Sequence, residues 1–154
     1  QLRAQFKWVA KESLFRIPFL GWCLGLCKHI SLRRNDRASI RDVYREAIAY
    51  IRSGMSVLFF PEGTRSETDG MNPFQSGAFK LALSEKVPVL PVVLNGARNA
   101  IPKGGWVMNS TVDCRISVLE PFETSDLGHD SASVLSDTIR KRMEAELASL
   151  SALA

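Results

Sequence analysis

The chain has 154 residues, of which 45% are hydrophobic and 23% are charged, and its formal net charge is +4. This composition is typical of a folded domain with a sizeable core, and it excludes a disordered or low-complexity chain. The charge is unevenly spread. Residues 1–45 contain ten Lys/Arg and three acids, a net of +7, whereas residues 46–154 contain ten basic and thirteen acidic residues, a net of −3. The amino-terminal part is therefore expected to favour anionic partners.

The first sixty residues alternate between strand and helix patterns. FKWVA (6–10) and HISL (29–32) predict two short strands, and the segment between them predicts two short helices broken at Pro18. Asp36 is a predicted N-cap for a helix that runs to Arg52 and stops at Gly54. The apolar run SVLFF, Ser56 to Phe60, then predicts a central parallel strand that is covered on both faces.

The remaining elements complete an α/β pattern. A helix is predicted from Gln75 to Lys86, a strand from Val87 to Gly96 with an irregularity at Pro91, a half-buried strand from Thr111 to Leu119, and an amphipathic helix from Ser131 to Leu150. This order predicts an α/β fold, a layered domain with a mixed, largely parallel central sheet flanked by helices. We expect residues 1–154 to form one single domain.

The cysteines do not indicate a metal site. Their number is odd and their spacing does not match that of metal ligands. Cys23 and Cys27 lie one helical turn apart in an apolar run and are predicted to be buried free thiols, which favours a reducing compartment. That run, Ile17 to Cys27, is shorter than the roughly 20 residues needed to span a bilayer.

An unusual set of polar groups follows the predicted strand at Ser56 to Phe60. Ligands of open α/β sheets bind beyond the carboxyl ends of strands. There, Gly63 permits close backbone approach and Thr64 offers a hydroxyl, while Arg65 suits a phosphate or carboxylate. Glu62 would hold that arginine or meet a substrate hydroxyl. The set favours a phosphate site, with a simple Glu62–Arg65 pair on a turn as the alternative.

FPEGTRS resembles, residue for residue, the third signature block of the glycerolipid acyltransferases, the family of the 1-acylglycerol-3-phosphate acyltransferases. The second block is similar to FKWVAKESLFRIPFLGW and continues in ISLRRND, which places Arg34 at the family's usual arginine. FQSGAFKLAL and VPVLPVVLNG resemble the later blocks. The resemblance runs in order from Phe6 to Gly96.

The resemblance implies transfer of an acyl group from acyl-CoA or acyl carrier protein, as co-substrate and with no cofactor, to the free hydroxyl of 1-acylglycerol-3-phosphate. The product is phosphatidic acid. It implies that the acceptor's phosphate is bound by Glu62, Gly63, Thr64 and Arg65, with Lys11 and Arg34 as further candidates. It also implies that the acyl-donor and acyl-chain side is lined by Val87, Pro88, Val89, Pro91 and Val92.

One block of the family is absent. In the family, a histidine acts as general base and an aspartate five positions later orients it, but here His29 is followed at that spacing by Arg34 and His129 by Val134. We therefore expect the catalytic histidine upstream of Gln1, this chain alone to be inactive, and His29 to be structural. The alternative is a non-catalytic module that binds phosphate or a lysophospholipid.

Because the acceptor is a membrane lipid, we expect association with an anionic membrane surface at the cytoplasmic face. The amino-terminal aromatic residues and their basic neighbours suit this role, although they also suit an ordinary core and surface. These residues are Trp8, Phe15, Phe19 and Trp22, interleaved with Lys7, Lys11, Arg16 and Lys28. No nucleic-acid partner is expected, since no zinc finger or helix-turn-helix pattern occurs, and no G-x-S-x-G elbow supports a serine hydrolase.

Overall fold

The computed structural model describes residues 5–64, 66, 70–97, 100 and 111–152. The contacts within the chain gather into two compact units, residues 1–60 and residues 61–154. None of the helices in the described ranges combines the length and the apolar composition needed to cross a bilayer. The single domain expected from the sequence would include both units and stays a prediction.

The first unit is built on three short parallel strands. β1 (Phe6–Lys11) lies between β2 (Ile30–Leu32) and β3 (Ser56–Leu58). Lys11, the last residue of β1, lies opposite Leu32, the last residue of β2. The strands predicted from FKWVA and HISL are therefore confirmed, and the carboxyl ends of both strands meet at one edge of the sheet.

The predicted position of the third strand is wrong. β3 ends at Leu58, and within the described residues it is the edge of its sheet rather than a central strand. Phe60, which was expected to be covered, is 65% exposed. An apolar run favours burial, but it does not say which strands pair with it, because pairing joins residues that are distant in sequence.

Two short helices follow β1, as predicted. A 3-10 helix (Glu12–Arg16) and α1 (Leu20–Leu26) are separated by the segment that contains Pro18. The two helices pack together, and a Cβ at Gly21 would overlap the carbonyl oxygen of Phe15. Glycine is therefore required at the point where α1 meets the 3-10 helix.

The predicted burial of the cysteines is wrong. Cys23 and Cys27 are free thiols, as expected, but both are exposed, and Cys114, for which no burial was predicted, is also free and exposed. α1 turns Gly21 and Leu24 towards the interior, whereas Cys23 lies on the other side of the helix. An apolar run predicts burial for all its residues, although a short helix packs on one side only.

The long helix of the first unit is confirmed at both ends. α2 (Arg37–Arg52) begins after Asp36, whose carboxylate accepts hydrogen bonds from the backbone N–H groups of Ala38 (2.9 Å) and Ser39 (3.2 Å). Such a cap satisfies N–H groups that have no partner inside the helix. Gly54 follows the helix with φ of +83°, and α2 packs on β2 and β3.

The second unit combines two helices with an antiparallel strand pair. α3 (Gly77–Glu85), β4 (Val92–Asn95), β5 (Arg115–Val118) and α4 (Ala132–Ala152) follow in order, and β4 pairs with β5. α4 packs on α3 and β4 around a core of Phe79, Leu83, Ala132, Leu135 and Ile139. Both predicted helices are confirmed to within two residues at each end.

The strand predicted from Val87 to Gly96 is interrupted. Val89 forms an isolated antiparallel bridge with Phe122, and β4 begins only at Val92. Pro91 lies between them and has no N–H to donate, although its carbonyl accepts from the N–H of Leu119 at 3.0 Å. The irregularity expected at Pro91 is therefore confirmed.

The α/β class is confirmed, with parallel and antiparallel strands and flanking helices. In the described residues the strands form two sheets, a parallel sheet of three strands in the first unit and an antiparallel pair in the second.

Candidate functional site

A basic pocket lies where β1 and β2 end. Lys11 closes β1 and Arg34 follows β2, and both line an open cavity of about 200 Å³. The other lining residues are Glu12, Ser13, Arg16, Leu32 and Arg33. Four cations and one carboxylate thus surround the cavity, which makes it an anion site by charge. The structure brings Lys11 and Arg34 to this one pocket.

Arg33 neutralises Glu12, the one carboxylate among the described residues that line this pocket. Its Nε and Nη2 atoms lie 3.1 and 3.2 Å from the two carboxylate oxygens of Glu12, and its Nη1 lies 3.1 Å from Oδ2 of Asp36. The hydrogen bond from Arg33 lowers the pKa of Glu12, and the same bond raises the pKa of Arg33. Glu12 therefore stays ionised and matched by a cation.

Lys11 and Arg34 remain available for a ligand. Within the described part of the chain, neither side chain makes an ion pair or a hydrogen bond. The backbone beside Arg34 is held, since the N–H of Arg33 donates to the hydroxyl of Ser39 in the first turn of α2 (2.9 Å). Two unpaired cations on fixed backbone suit a phosphate or carboxylate ligand.

Two hydrogen bonds within the loop hold the segment that contains the FPEGTRS block. The N–H of Gln75 donates to the carbonyl of Pro61 at 2.7 Å, and Oε2 of Glu62 accepts from the N–H of Asn72 at 2.8 Å. Gly63 has φ of +68°, a conformation that favours glycine. The Glu62 carboxylate, expected to hold Arg65 or a substrate hydroxyl, thus binds backbone within its own loop.

The predicted site residues are divided between the two units. Lys11 and Arg34 belong to the first unit, and Glu62, Gly63 and Thr64 belong to the second. Thr64 is exposed. Arg65 lies outside the described residues. The phosphate role proposed for each of them stays a prediction.

The residues expected on the acyl-donor side alternate in exposure. Pro91 is buried and Pro88 is exposed, while the three valines are half-buried: Val87, Val89 and Val92. Val89 packs on the core of the second unit. The apolar side chains that are most open to a ligand in this segment are Leu90 and Leu94, which are 50% and 49% exposed. Leu94 is exposed because successive side chains of β4 point to opposite faces, with buried Val93 on the other face.

His29 has a structural environment. Its Nδ1 accepts a hydrogen bond from the backbone N–H of Trp8 at 3.1 Å, and its ring stacks on the Trp8 indole with centroids 5.7 Å apart. Burial lowers the pKa of His29, and the nearby Lys7 ammonium lowers it further. The imidazole is thus held neutral, with one nitrogen engaged by the start of the sheet.

The sequence analysis missed the three other charged residues of the pocket, Glu12, Arg16 and Arg33. Glu12 and Arg33 are 21 positions apart, so nothing in the local sequence indicates their contact. A weak signal exists, because each of the two is adjacent to a residue that was singled out, Lys11 or Arg34. Among the described residues, no group of three or more His, Cys, Asp and Glu side chains is arranged to hold a metal ion.

Comparisons with known proteins identify a family and several relatives. The Acyltransferase family model matches residues 1–95. A chloroplastic 1-acyl-sn-glycerol-3-phosphate acyltransferase of Brassica napus is 32% identical over 142 residues, which cover 92% of this chain and 40% of the relative. The 1-acyl-sn-glycerol-3-phosphate acyltransferase of Saccharomyces cerevisiae is 34% identical over 138 residues, with coverages of 87% and 45%.

A solved structure is also similar. The crystal structure of PlsC, the 1-acyl-sn-glycerophosphate (LPA) acyltransferase from Thermotoga maritima, matches 95% of this chain with a TM-score of 0.75 and 27% identity, and the match covers 57% of that protein. The chain thus spans about half the length of these relatives. Since the family model matches more than half of the chain and includes Lys11, Arg34 and the FPEGTRS block, the chain belongs to the Acyltransferase family.

Proposed function

We propose that the protein containing this chain transfers an acyl group to the free hydroxyl of 1-acylglycerol-3-phosphate and so forms phosphatidic acid. The observation that carries the proposal is the basic pocket, in which Lys11 and Arg34 are unpaired at the carboxyl edge of the parallel sheet. The printed names of the relatives support this acceptor. The acyl donor is a thioester of CoA or acyl carrier protein, which acts as co-substrate.

In the proposed reaction, a general base removes the proton of the acceptor hydroxyl as its oxygen attacks the thioester carbonyl. The new ester bond forms, the carbon–sulfur bond breaks, and the thiol leaves with a proton. The pocket contributes by holding the phosphate, which fixes the hydroxyl in position for attack. No covalent acyl-enzyme is needed.

The general base is proposed to come from outside residues 1–154. His29 uses Nδ1 to accept from the Trp8 backbone, and the residue five positions later is Arg34 rather than an aspartate. His129 is followed at that spacing by Val134. We therefore expect the 154-residue chain by itself to bind the acceptor without turning it over.

The phosphate site is tested in the complete enzyme with Arg34→Ala. Loss of a charge-assisted contact is expected to raise KM for 1-acylglycerol-3-phosphate by about 10- to 100-fold. Use of 1-acylglycerol, which lacks the phosphate, is expected to change little. Arg37→Ala is the matched control, because Arg37 is an exposed cation close in sequence that does not line the pocket. Equal effects on both acceptors would refute the placement of the phosphate.

Arg65→Ala belongs in the same assay. The resemblance implies a phosphate role for Arg65, so we expect its loss to raise KM for the phosphorylated acceptor and to spare 1-acylglycerol. Unchanged turnover of 1-acylglycerol-3-phosphate would remove Arg65 from the site.

The alternative function is a non-catalytic module that binds a lysophospholipid through the same pocket. The observation that favours it is the environment of His29 and the absence of the His-x4-Asp spacing from residues 1–154. Equilibrium binding of 1-acylglycerol-3-phosphate by the complete protein, without acyl transfer from either donor, would support this alternative and refute the enzyme.

We also propose that the protein works in association with the cytoplasmic face of a membrane. The support is chemical, since acceptor and product are amphiphiles and since residues 1–45 carry a net charge of +7. Co-sedimentation of the complete protein with anionic vesicles tests this association.

A further inference from the structure

Three of the four most exposed large apolar side chains described in the first unit lie on α1 or at its N-cap. Phe19, Trp22 and Leu26 are 74%, 64% and 83% exposed. Trp22 and Leu26 lie four residues apart on one face of α1, and Phe19, its N-cap with φ of +63°, contacts the Trp22 ring. Ile17 and Leu20, at the start of the same segment, are 45% and 42% exposed. We call the side formed by Phe19, Trp22, Cys23 and Leu26 the outer face of α1.

The outer face is held in this orientation by the rest of the unit. On the opposite side, Gly21 and Leu24 are buried, and Gly21 touches the backbone of the 3-10 helix so closely that no side chain fits there. The rings of Phe19 and Trp22 contact each other edge to face, with centroids 5.2 Å apart. The outer face is thus a preformed apolar surface.

The surroundings of this face are cationic. Residues 13–35 contain no Asp or Glu, and their cations are Arg16, Lys28, Arg33 and Arg34. At the carboxyl end of α1, the Lys7 ammonium donates a hydrogen bond to the Cys27 carbonyl at 2.7 Å. At the other end, Arg16 precedes Ile17 directly and also lines the basic pocket. Arg16 thus links the anion pocket to the segment that leads into the outer face.

We propose that the outer face of α1 inserts into the interface of an anionic phospholipid bilayer. Aromatic side chains flanked by Lys and Arg are suited to the boundary between headgroups and acyl chains, and such a helix lies roughly 5–10 Å deep in that boundary. The absence of acids from residues 13–35 matches the negative surface of the lipid. Glu12 and Asp36, which flank this segment, pair with Arg16 and Arg33 and leave Lys28 and Arg34 as its unpaired cations among the described residues; a protein partner would not require this excess of positive charge.

The insertion gives the pocket a function in the membrane. Because Arg16 lines the pocket and lies three residues before Phe19, we expect an inserted α1 to bring Lys11 and Arg34 close to the lipid phosphates. A lysophospholipid then reaches the pocket along the plane of the bilayer, without leaving it. This consequence rests on the proposed function, whereas the insertion itself does not.

The native thiols allow a direct test, because all three are exposed. In the complete protein, a polarity-sensitive fluorophore is attached to Cys23 on the outer face, with Cys27 and Cys114 replaced by serine. The control carries the fluorophore on Cys114, in the second unit, with Cys23→Ser and Cys27→Ser. On vesicles of phosphatidylcholine and phosphatidic acid, we expect a blue shift and quenching by lipid-borne quenchers for the Cys23 label only.

Several results would overturn the insertion. Equal signals from the two labels would do so, as would a Cys23 label that is already shielded without vesicles. A shielded label would mean that protein covers the face; dependence on dilution would identify a second copy, and independence would identify a segment of the same protein. The acceptor and the acyl donor are absent from this assay, so the outcome does not depend on catalysis.

A second variant checks the energetic contribution of the face. Phe19→Ser with Trp22→Ser is expected to weaken partition into the same vesicles by about tenfold or more, because two aromatic side chains lose their apolar contact. Ile116→Ser with Val118→Ser is the matched control, since Ile116 and Val118 of β5 are 63% and 47% exposed. Unchanged partition of the α1 variant would contradict the proposal.

Acyl transfer in detergent micelles separates the two proposals. Transfer that persists in the labelled proteins while the Cys23 label fails to enter vesicles would refute the insertion and keep the proposed function. Insertion of the Cys23 label without any transfer would refute the proposed function and keep the insertion.

Discussion

At the scale of single residues, the hydrogen bond between His29 and Trp8 makes the stability of the first unit depend on pH. A neutral imidazole accepts the Trp8 N–H through Nδ1, and a protonated one has no acceptor there. Burial and then Lys7 hold the pKa of His29 below its ordinary value of 6.5. The folded state thus binds fewer protons than the unfolded state. The stability contributed by His29 is full above pH 6.5 and is lost as the pH falls through the folded pKa.

We expect His29→Asn to flatten this pH dependence. The Asn side-chain oxygen takes the place of Nδ1 as acceptor but does not titrate. Urea unfolding between about pH 7.5 and pH 5.5 measures the difference, in the range where histidine titrates. His129 is present in both proteins, so the difference between the two slopes isolates His29. Parallel slopes would mean that protonation of His29 does not disturb the sheet.

The Glu62 carboxylate is expected to act through its own loop. Glu62→Ala removes the acceptor for the Asn72 N–H, so hydrogen exchange at that amide should accelerate by about tenfold or more. Glu62→Gln keeps an acceptor oxygen and should stay close to the wild type in exchange and in acyl transfer. If Gln were as damaging to transfer as Ala, the negative charge itself would be needed at the substrate.

At the scale of elements, the packing of α1 on the 3-10 helix has a matched pair of glycines. Gly21→Ala places a Cβ against the Phe15 carbonyl and is expected to lower the free energy of unfolding by about 1–3 kcal/mol. Gly25→Ala meets no atom within 4 Å and should instead stabilise the helix by about 0.5–1 kcal/mol. Urea denaturation of both variants gives the comparison, and equal effects would rule out the close contact.

The elements that could be predicted from the sequence are those with local causes. Asp36 and Gly54 bound α2 because a side chain meets the backbone two or three residues away and because glycine adopts a positive φ. The same reasoning located the break at Pro18 and the irregularity at Pro91. Each of these signals involves one residue and its immediate neighbours.

The rest depends on contacts between distant residues. The edge position of β3 follows from its pairing with β1 alone, and the Arg33–Glu12 pair joins two separate elements. The apolar run of α1 was expected to bury Cys23, yet its outer side is open. In the candidate site, Lys11 and Arg34 were predicted from the resemblance. The ion pair between Arg33 and Glu12 beside them could be identified only from the structure.

At the scale of the whole molecule, charge is unevenly divided between the two units, and we expect this division to control the proposed association with lipid. Residues 1–60 carry eleven basic and four acidic residues, a net of +7, and residues 61–154 carry nine and twelve, a net of −3. Binding to anionic vesicles is therefore expected to weaken as NaCl rises from about 0.05 M to about 0.5 M, because salt screens exposed charges. Neutral vesicles serve as the control. An affinity for vesicles that changes neither with the NaCl concentration nor with the charge of the lipid would contradict this expectation.

The attachment of α1 has a mechanical consequence. Lys7, in the strand that ends at Lys11, holds the Cys27 carbonyl, and the hydroxyl of Tyr50 in α2 donates to the Lys28 carbonyl at 3.1 Å. These two hydrogen bonds hold the carboxyl end of α1, and the contact of Gly21 with Phe15 holds its amino end. A force on the outer face would therefore be transmitted to β1 and α2. Lateral pressure in the lipid layer would then act on the strand that carries Lys11, and the affinity for the anion would change with how tightly the surrounding lipids are packed.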